Sequence, residues 1–338
     1  LHDLLFSIEP NDKNRLQDVL VQAQARYRTD MVYEGSGTAM SHAARGLTPE
    51  GYLAEMVYGL PQLTLVEGFN KNFDTCSEDI ICQIESIRDF LPVRGRLTAS
   101  FTGSDNSATI VQNTLKNWIS DMRHESIGDT SIGFTPYDVP PSEGLAGPIQ
   151  VAHCAQVIPA PHYSHSDKTA LTVGAHLVRL DYIMNEIRFR GNAYGAMFNY
   201  SPLGSVLSLG SYRDPHISRT LDVFSGVADY IREVAWTQTD IDHAIIATAK
   251  QFERPIRPAA ATGQALQRYL IGQTPELREQ HYSQLRHVTP KEVKRALLEL
   301  LEANFMKGAV CVVSSREKLE TANQEMSDRQ LTIEDILG

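Results

Sequence analysis

Apolar positions along the chain follow two regimes. In the first part, Leu16, Val19, Leu20 and Ala23 recur at helical spacing, as do Ala108, Val111, Leu115 and Ile119, so this region is predicted to be rich in amphipathic helices. Between them, Val93 to Phe101 reads as a strand entering a Thr102-Gly-Ser-Asp turn. From Arg123 to Gly147 both periodicities fail. This stretch carries Gly128, Gly133, Pro136, Pro140, Pro141, Gly144 and Gly147, the composition of a linker. Ile149 to Ile158 is then apolar enough for a buried strand and stops at Pro159 and Pro161. A long helix follows, with the stripe Ala170, Val173, Leu177, Leu180, Met184 and Ile187 at spacings of three and four, and Gly191 provides its stop. Tyr194 to Tyr200 alternates in strand fashion, and Ser201-Pro-Leu-Gly returns the chain into Ser205 to Tyr212, predicting a hairpin. Helices are expected at Pro215 to Ala235, Asp240 to Phe252, Gly263 to Leu270, Pro275 to Leu285 and Pro290 to Ala303, before a strand Ala309 to Ser314.

This pattern puts a domain boundary in the linker, giving a domain over 1–122, a linker over 123–147 and a second domain over 148–338. Leu97-Thr-Ala-Ser-Phe-Thr-Gly-Ser before a helix echoes Val310-Cys-Val-Val-Ser-Ser before another. Such an echo fits a repeated α+β unit with helices on one face of a mixed sheet, the first copy lacking its opening strands. The chain begins Leu1-His-Asp-Leu-Leu, without an initiator Met and as though partway through a helix, so it reads as a fragment of a longer protein.

A length of 338 residues suffices for two cores. No apolar run approaches the length needed to span a bilayer, so no membrane association is expected. The 41 acidic residues outnumber the 31 basic ones, for a net charge of -10, and no Lys/Arg cluster interleaves with aromatics. That balance argues against nucleic acid as a partner and would attract basic peptides at long range. Cys76, Cys82, Cys154 and Cys311 form neither a disulfide framework nor a Cys-x-x-Cys pair, which fits a reducing, cytoplasmic type of compartment.

The inverted zincin motif His-x-x-Glu-His occurs at none of the 11 histidines. Walker-type phosphate loops and Gly-x-Ser-x-Gly elbows are missing from the sequence too. By itself the chain lacks a catalytic engine, and no metal ligands are expected in it. His153 and Cys154 fall in a predicted strand where neighbours point to opposite faces, and His162 and His165 lie in a polar turn. Core packing or exposure accounts for these, and for His42, better than a metal site does. Arg188 and Tyr194 differ. Toward a peptide carbonyl both are donors at neutral pH, and donors aimed at an oxygen that becomes negative stabilise a tetrahedral intermediate. The plain alternative has Arg188 answering the negative end of its helix and Tyr194 as a half-buried strand aromatic.

The run Tyr182-Ile-Met-Asn-Glu-Ile-Arg188-Phe-Arg-Gly-Asn-Ala-Tyr194-Gly resembles the Arg-x-x-Gly-x-Ala-Tyr segment in the last domain of the pitrilysin-like (insulinase-type, M16) zinc metallopeptidases, in particular their presequence-protease branch. The resemblance extends over Leu1-His-Asp-Leu-Leu, Thr38-Ala-Met-Ser-His42-Ala-Ala, Gly144-Leu-Ala-Gly-Pro and Pro202-Leu-Gly-Ser-Val-Leu-Ser-Leu-Gly-Ser-Tyr-Arg-Asp-Pro215, nearly the whole chain. It implies an α+β fold of two homologous α/β-roll domains of the LuxS/metallohydrolase-like type, a truncated third domain at 1–122 and a fourth at 148–338. It implies that Arg188 and Tyr194 grip the scissile carbonyl or substrate backbone, while Gly191, Asn192 and Ala193 shape the turn between them. Asn192 stands where relatives often carry glycine, and Asn tolerates left-handed backbone angles. The implied reaction is zinc-dependent hydrolysis of unfolded peptides enclosed between two halves of one polypeptide. Zinc would be bound by the N-terminal half and none by this chain. On this reading the fragment alone is inactive, it self-associates through the surface that meets the other half, and the protein is cytoplasmic or in an organellar matrix. The competing expectation is a non-catalytic peptide-binding or partner subunit of the same superfamily.

Overall fold

The computed structural model describes residues 6–124, 133–252 and 255–336. Expectations placed on Leu1-His-Asp-Leu-Leu and Gly128 lie outside the described residues. Two compact units form, one from residues 1–22, 67–132 and 253–282, the other from 23–66, 133–252 and 283–338. Among the described residues no helix is long and apolar enough to cross a membrane.

The first unit is helical over most of its described residues, with Phe73–Phe90, Asp105–Asp121 and Pro258–Leu270 as its main elements. Ser104 caps the second of these by accepting from Ser107 N–H. The strand expected from Val93 to Phe101 does not form. Val93 makes a single bridge to Arg123, Arg94–Arg96 is a turn of 3₁₀ helix, and Phe101 is exposed. The sequence Arg94-Gly-Arg interrupts the apolar alternation that a half-buried strand requires.

The second unit carries a six-stranded mixed sheet in the order β3-β4-β2-β5-β1-β6. Its strands are β1 (Ser142–Ala146), β2 (His153–Pro159), β3 (Gly195–Ser201), β4 (Val206–Tyr212), β5 (Ala309–Ser314) and β6 (Thr332–Asp335). β1 runs parallel to β5 and β6, and the other pairings are antiparallel. The hairpin β3–β4 pairs Gly195 with Tyr212 and Ser201 with Val206, and Ser205 takes φ 53° in its turn. This is the mixed α+β architecture read from the sequence.

Alternate residues of the strands feed two different cores, as a pleat of period two demands. Cys154, Ile158, Phe198, Leu207, Leu209 and Val312 face the larger one, with Val173, Ile183, Ile187, Leu297 and Phe224. Ala155, Val157, Ala309, Cys311 and Val313 face the other, where Met31, Ala39, Ala43 and Leu63 pack. The helix Gly35–Ala44 supplies Ala39 and Ala43 to that second face. Cover on both faces explains why β2 is buried at every position but Pro159 and reads as an unbroken apolar run.

Three local outcomes differ from the periodicity. Ser142–Ala146, within the glycine- and proline-rich stretch, is a sheet strand, and Gly144 is there because a Cβ would stand 3.0 Å from Leu319 of the helix Arg316–Glu325. The helix expected over Pro215 to Ala235 breaks at Gly226 into Ser218–Ser225 and Val227–Glu233, and a Cβ at Gly226 would come within 2.7 Å of the Tyr182 hydroxyl. The long helix is α-helical only over Lys168–Val178 and continues as a π-helix over Arg179–Phe189. That winding turns Leu180 out of the expected stripe, leaving it 43% exposed, while Ile183 and Ile187 stay buried.

Candidate functional site

The π-helix ends in a tightly bonded turn that places the segment Arg188 to Tyr194. Arg190 N–H donates to Asn185 O, Asn192 N–H to Arg188 O, and Ala193 N–H to Ile187 O. The last two bonds resemble the paired closure of a Schellman turn, widened by one residue as π winding requires. Asn192 takes the left-handed conformation at φ 62°, as its residue type permits. Gly191 is buried against the helix end, and a Cβ there would lie 2.5 Å from Ile187 O, so the turn has no room for a side chain. Ala193 is buried, which fixes the exit of the turn to the core. Gly191, Asn192 and Ala193 are thus turn formers in geometry.

Arg188 and Tyr194, at the two ends of this turn, both point outward. The Arg188 guanidinium lies 5.7 Å from the Phe189 ring centre and has no ion pair among the described residues. Tyr194 is 69% exposed. Its backbone N–H donates to Tyr212 O and Arg213 O, and its ring meets Tyr212 edge-on at 5.7 Å. The phenol hydroxyl is bonded to no described residue, so the aromatic is held by its backbone and ring edge and not by burial. Two donors with no partner among the described residues therefore flank a rigid turn at the start of β3, an outermost strand of the sheet.

The expected histidine candidates sit elsewhere. His153 is buried at the start of β2, packed on Gly35 and stacked obliquely on Tyr212 at 5.2 Å, with its Nδ1 accepting from Arg213 N–H. Burial, helped by Arg213, pushes its pKa down to about 4, so it is neutral. Cys154 is buried and its thiol is pushed up by burial. Among the described residues no three His, Cys, Asp or Glu side chains come together as metal ligands, so this chain's residues do not fit a zinc site.

His42 belongs to a network that the sequence does not announce. Its Nδ1 donates to Glu55 Oε1 at 2.7 Å, and Nε2 stands 3.4 Å from Glu143 Oε2, short of a well-formed hydrogen bond. Arg45 grips Glu143 with two bonds of 2.8 and 2.7 Å and covers the Tyr137 ring. Burial disfavours an imidazolium here, but Glu143 and Glu55 outweigh it and raise the His42 pKa. Burial likewise opposes the Glu143 carboxylate, yet His42 and Arg45 hold it down at about 2. Tyr137 is pushed up to about 12, chiefly by burial. The partners come from the helices Gly35–Ala44 and Pro49–Tyr58 and from β1, so only the folded chain assembles them.

The chain's likeness to known proteins agrees with this layout. Residues 160–316 match the family described as PreP C-terminal domain, and residues 1–68 the family described as peptidase M16 subfamily C associated. Presequence protease 1, chloroplastic/mitochondrial, of Arabidopsis thaliana is 26% identical over 329 residues, 96% of this chain and 30% of that protein. The mitochondrial presequence protease of Yarrowia lipolytica is 27% identical over 300 residues, 88% of this chain and again 30% of that protein. The chain therefore spans about a third of the length of these curated relatives. In fold it is similar to a peptidase M16 inactive domain from Pseudomonas fluorescens, with a TM-score of 0.58, 15% identity, and 88% of this chain and 70% of that one covered. Pitrilysin gives a TM-score of 0.55 at 13% identity, covering 94% of this chain and 34% of that one. With both segments and the whole fold in register, the chain belongs to the M16 peptidases as a C-terminal region of the presequence-protease kind.

Proposed function

We propose that this chain is the substrate-gripping half of a peptidase that encloses and hydrolyses unfolded peptides, with Arg188 and Tyr194 as its contribution to the reaction. The observation that carries the reading is the pair of outward, unpartnered donors on a turn too tightly bonded to drift. The guanidinium and the phenol would each donate to the carbonyl oxygen of the peptide bond under attack or to the backbone beside it. A donor held in place beforehand stabilises charge that develops on that oxygen without reorganising at the moment of reaction. Gly191, Asn192 and Ala193 would act by positioning the two donors and by leaving the substrate room. Metal chemistry belongs to the other half of the polypeptide on this proposal, and the chain alone is inactive for that reason. The named relatives are organellar proteins, which supports an organellar matrix as the compartment.

The test is hydrolysis of a quenched peptide by the full-length parent, comparing wild type with Arg188→Ala and Tyr194→Phe and checking zinc content in each. Rates that fall with zinc retained support the proposal. Unchanged rates would make this half a non-catalytic peptide-binding or scaffold element, and chelator-sensitive cleavage by the 338-residue chain alone would overturn the assignment of the metal to the other half.

A further inference from the structure

A second recess in the sheet-bearing unit has the character of an anion site. It is a cavity of about 100 Å³ walled by Thr172 and His176 of the helix Lys168–Val178, Arg179 at the start of the π-helix, Asn199 of β3 and Thr248 of the helix Gln238–Phe252. No aspartate or glutamate lines it. In a chain of net charge -10, that is an unusual place for a half-buried arginine with no acid partner among the described residues. Arg45, Arg190, Arg232, Arg295, Arg316 and Arg329 all have one.

Thr248 gives an independent sign. Its residue is 2% exposed, yet among the described residues its hydroxyl has no hydrogen-bond partner. Helical threonines in this chain ordinarily bond the carbonyl one turn back, as Thr172 does to Lys168 O and Thr321 to Glu317 O. A buried hydroxyl that forgoes that bond and faces a cavity is a polar group waiting for a partner, because leaving it dry and unbonded is costly. His176 adds another donor. Burial, together with Arg179, lowers its pKa, so it stands as a neutral imidazole with one N–H to give. Asp181 acts in the opposite direction on His176, but its carboxylate already accepts from the Trp236 indole. Asn199 brings an exposed amide to the rim.

We infer that this recess binds a small oxyanion, a carboxylate or a phosphoryl group, gripped by Arg179 with Thr248, His176 and Asn199 as supporting donors. The guanidinium fork matches two oxygens of either group at once. The volume admits the anionic group itself and leaves the body of a larger ligand outside. Binding there is independent of peptide hydrolysis and is read directly.

The test titrates the 338-residue chain with inorganic phosphate and, separately, with N-acetylglutamate N-methylamide, holding ionic strength constant with chloride and following the His176 imidazole resonances. A saturable shift with either probe is expected, and the tighter one tells a phosphoryl ligand from a peptide carboxylate. Arg179→Gln should weaken binding roughly tenfold or more, the loss of one charge-assisted hydrogen bond. Thr248→Val should weaken it several-fold, whereas Thr248→Ser, which keeps the hydroxyl, should bind like wild type even if packing suffers. Absence of a saturable shift with both probes would overturn the inference, and so would an unchanged affinity in folded Arg179→Gln.

Discussion

The His42 network and the Arg188–Tyr194 turn are built from similar groups, arginine, histidine, tyrosine and glutamate, and put them to opposite ends. Around His42 each charge faces a partner, with Arg45 on Glu143 at 2.7 Å and His42 on Glu55 at 2.7 Å, and the cluster is closed within its own unit. Around the turn the backbone is fully bonded, while the Arg188 guanidinium and the Tyr194 hydroxyl have no partner among the described residues. The difference teaches where to look for function: charge satisfied internally holds a structure, and donors displayed unsatisfied on a rigid support are available to a ligand. The recess around Arg179 belongs with the turn in this respect.

That contrast can be broken by experiment. Glu143→Ala leaves Arg45 and His42 facing each other without compensation, and should cost about 3–5 kcal/mol of unfolding free energy by denaturant titration of the chain. A loss well under 1 kcal/mol would show that the network is not structural. Arg188→Ala and Tyr194→Phe should do the reverse. Each should lower peptide hydrolysis by the full-length parent roughly 10²–10³-fold, while stability stays within about 0.5 kcal/mol, as for an exposed substitution. A large stability loss with activity kept would move these residues into the first class. Between the extremes lies the turn itself. Gly191→Ala would press a Cβ against Ile187 O and should cost about 1–3 kcal/mol, whereas Asn192→Gly, already left-handed at φ 62°, should be nearly neutral.

The smallest effect expected is pH dependence. His42 has a raised pKa when folded, so its contribution is fully present below its ordinary value of 6.5 and is lost as pH rises through the folded value. Glu143 is lowered to about 2 from an ordinary 4.5, so its contribution is present above 4.5 and is lost as pH falls toward 2. Melting temperature should therefore peak between these limits, and His42→Asn should flatten the alkaline side while leaving the acid side in place.

Much of the sheet was legible because strands buried on both faces or alternating cleanly leave strong patterns. β5 was bounded at both ends, and the β3–β4 hairpin was placed to within one residue. β1 was hidden by Pro140, Pro141 and Gly144, whose turn-like composition reflects the entry into the strand and a close helix contact. The strand expected at Val93 failed for the opposite reason, since an apolar stretch without a partner strand has nothing to pair with. The turn residues Gly191 and Asn192 were legible because steric limits on a backbone act locally.

What the sequence determined by itself, then, was whatever depends on neighbours along the chain: the α+β class, the hairpin, the glycine stop of the long helix, and the spacing of Arg188 from Tyr194. The tertiary structure alone decided whatever depends on contact across the chain. The change from α to π winding at Arg179 answers to packing around Ile183 and Ile187, and no periodicity of residue types encodes it. The joining of His42, Glu55 and Glu143, and of Arg179 with Thr248, spans separations of tens of residues, over which burial and partner geometry set the chemistry of each group.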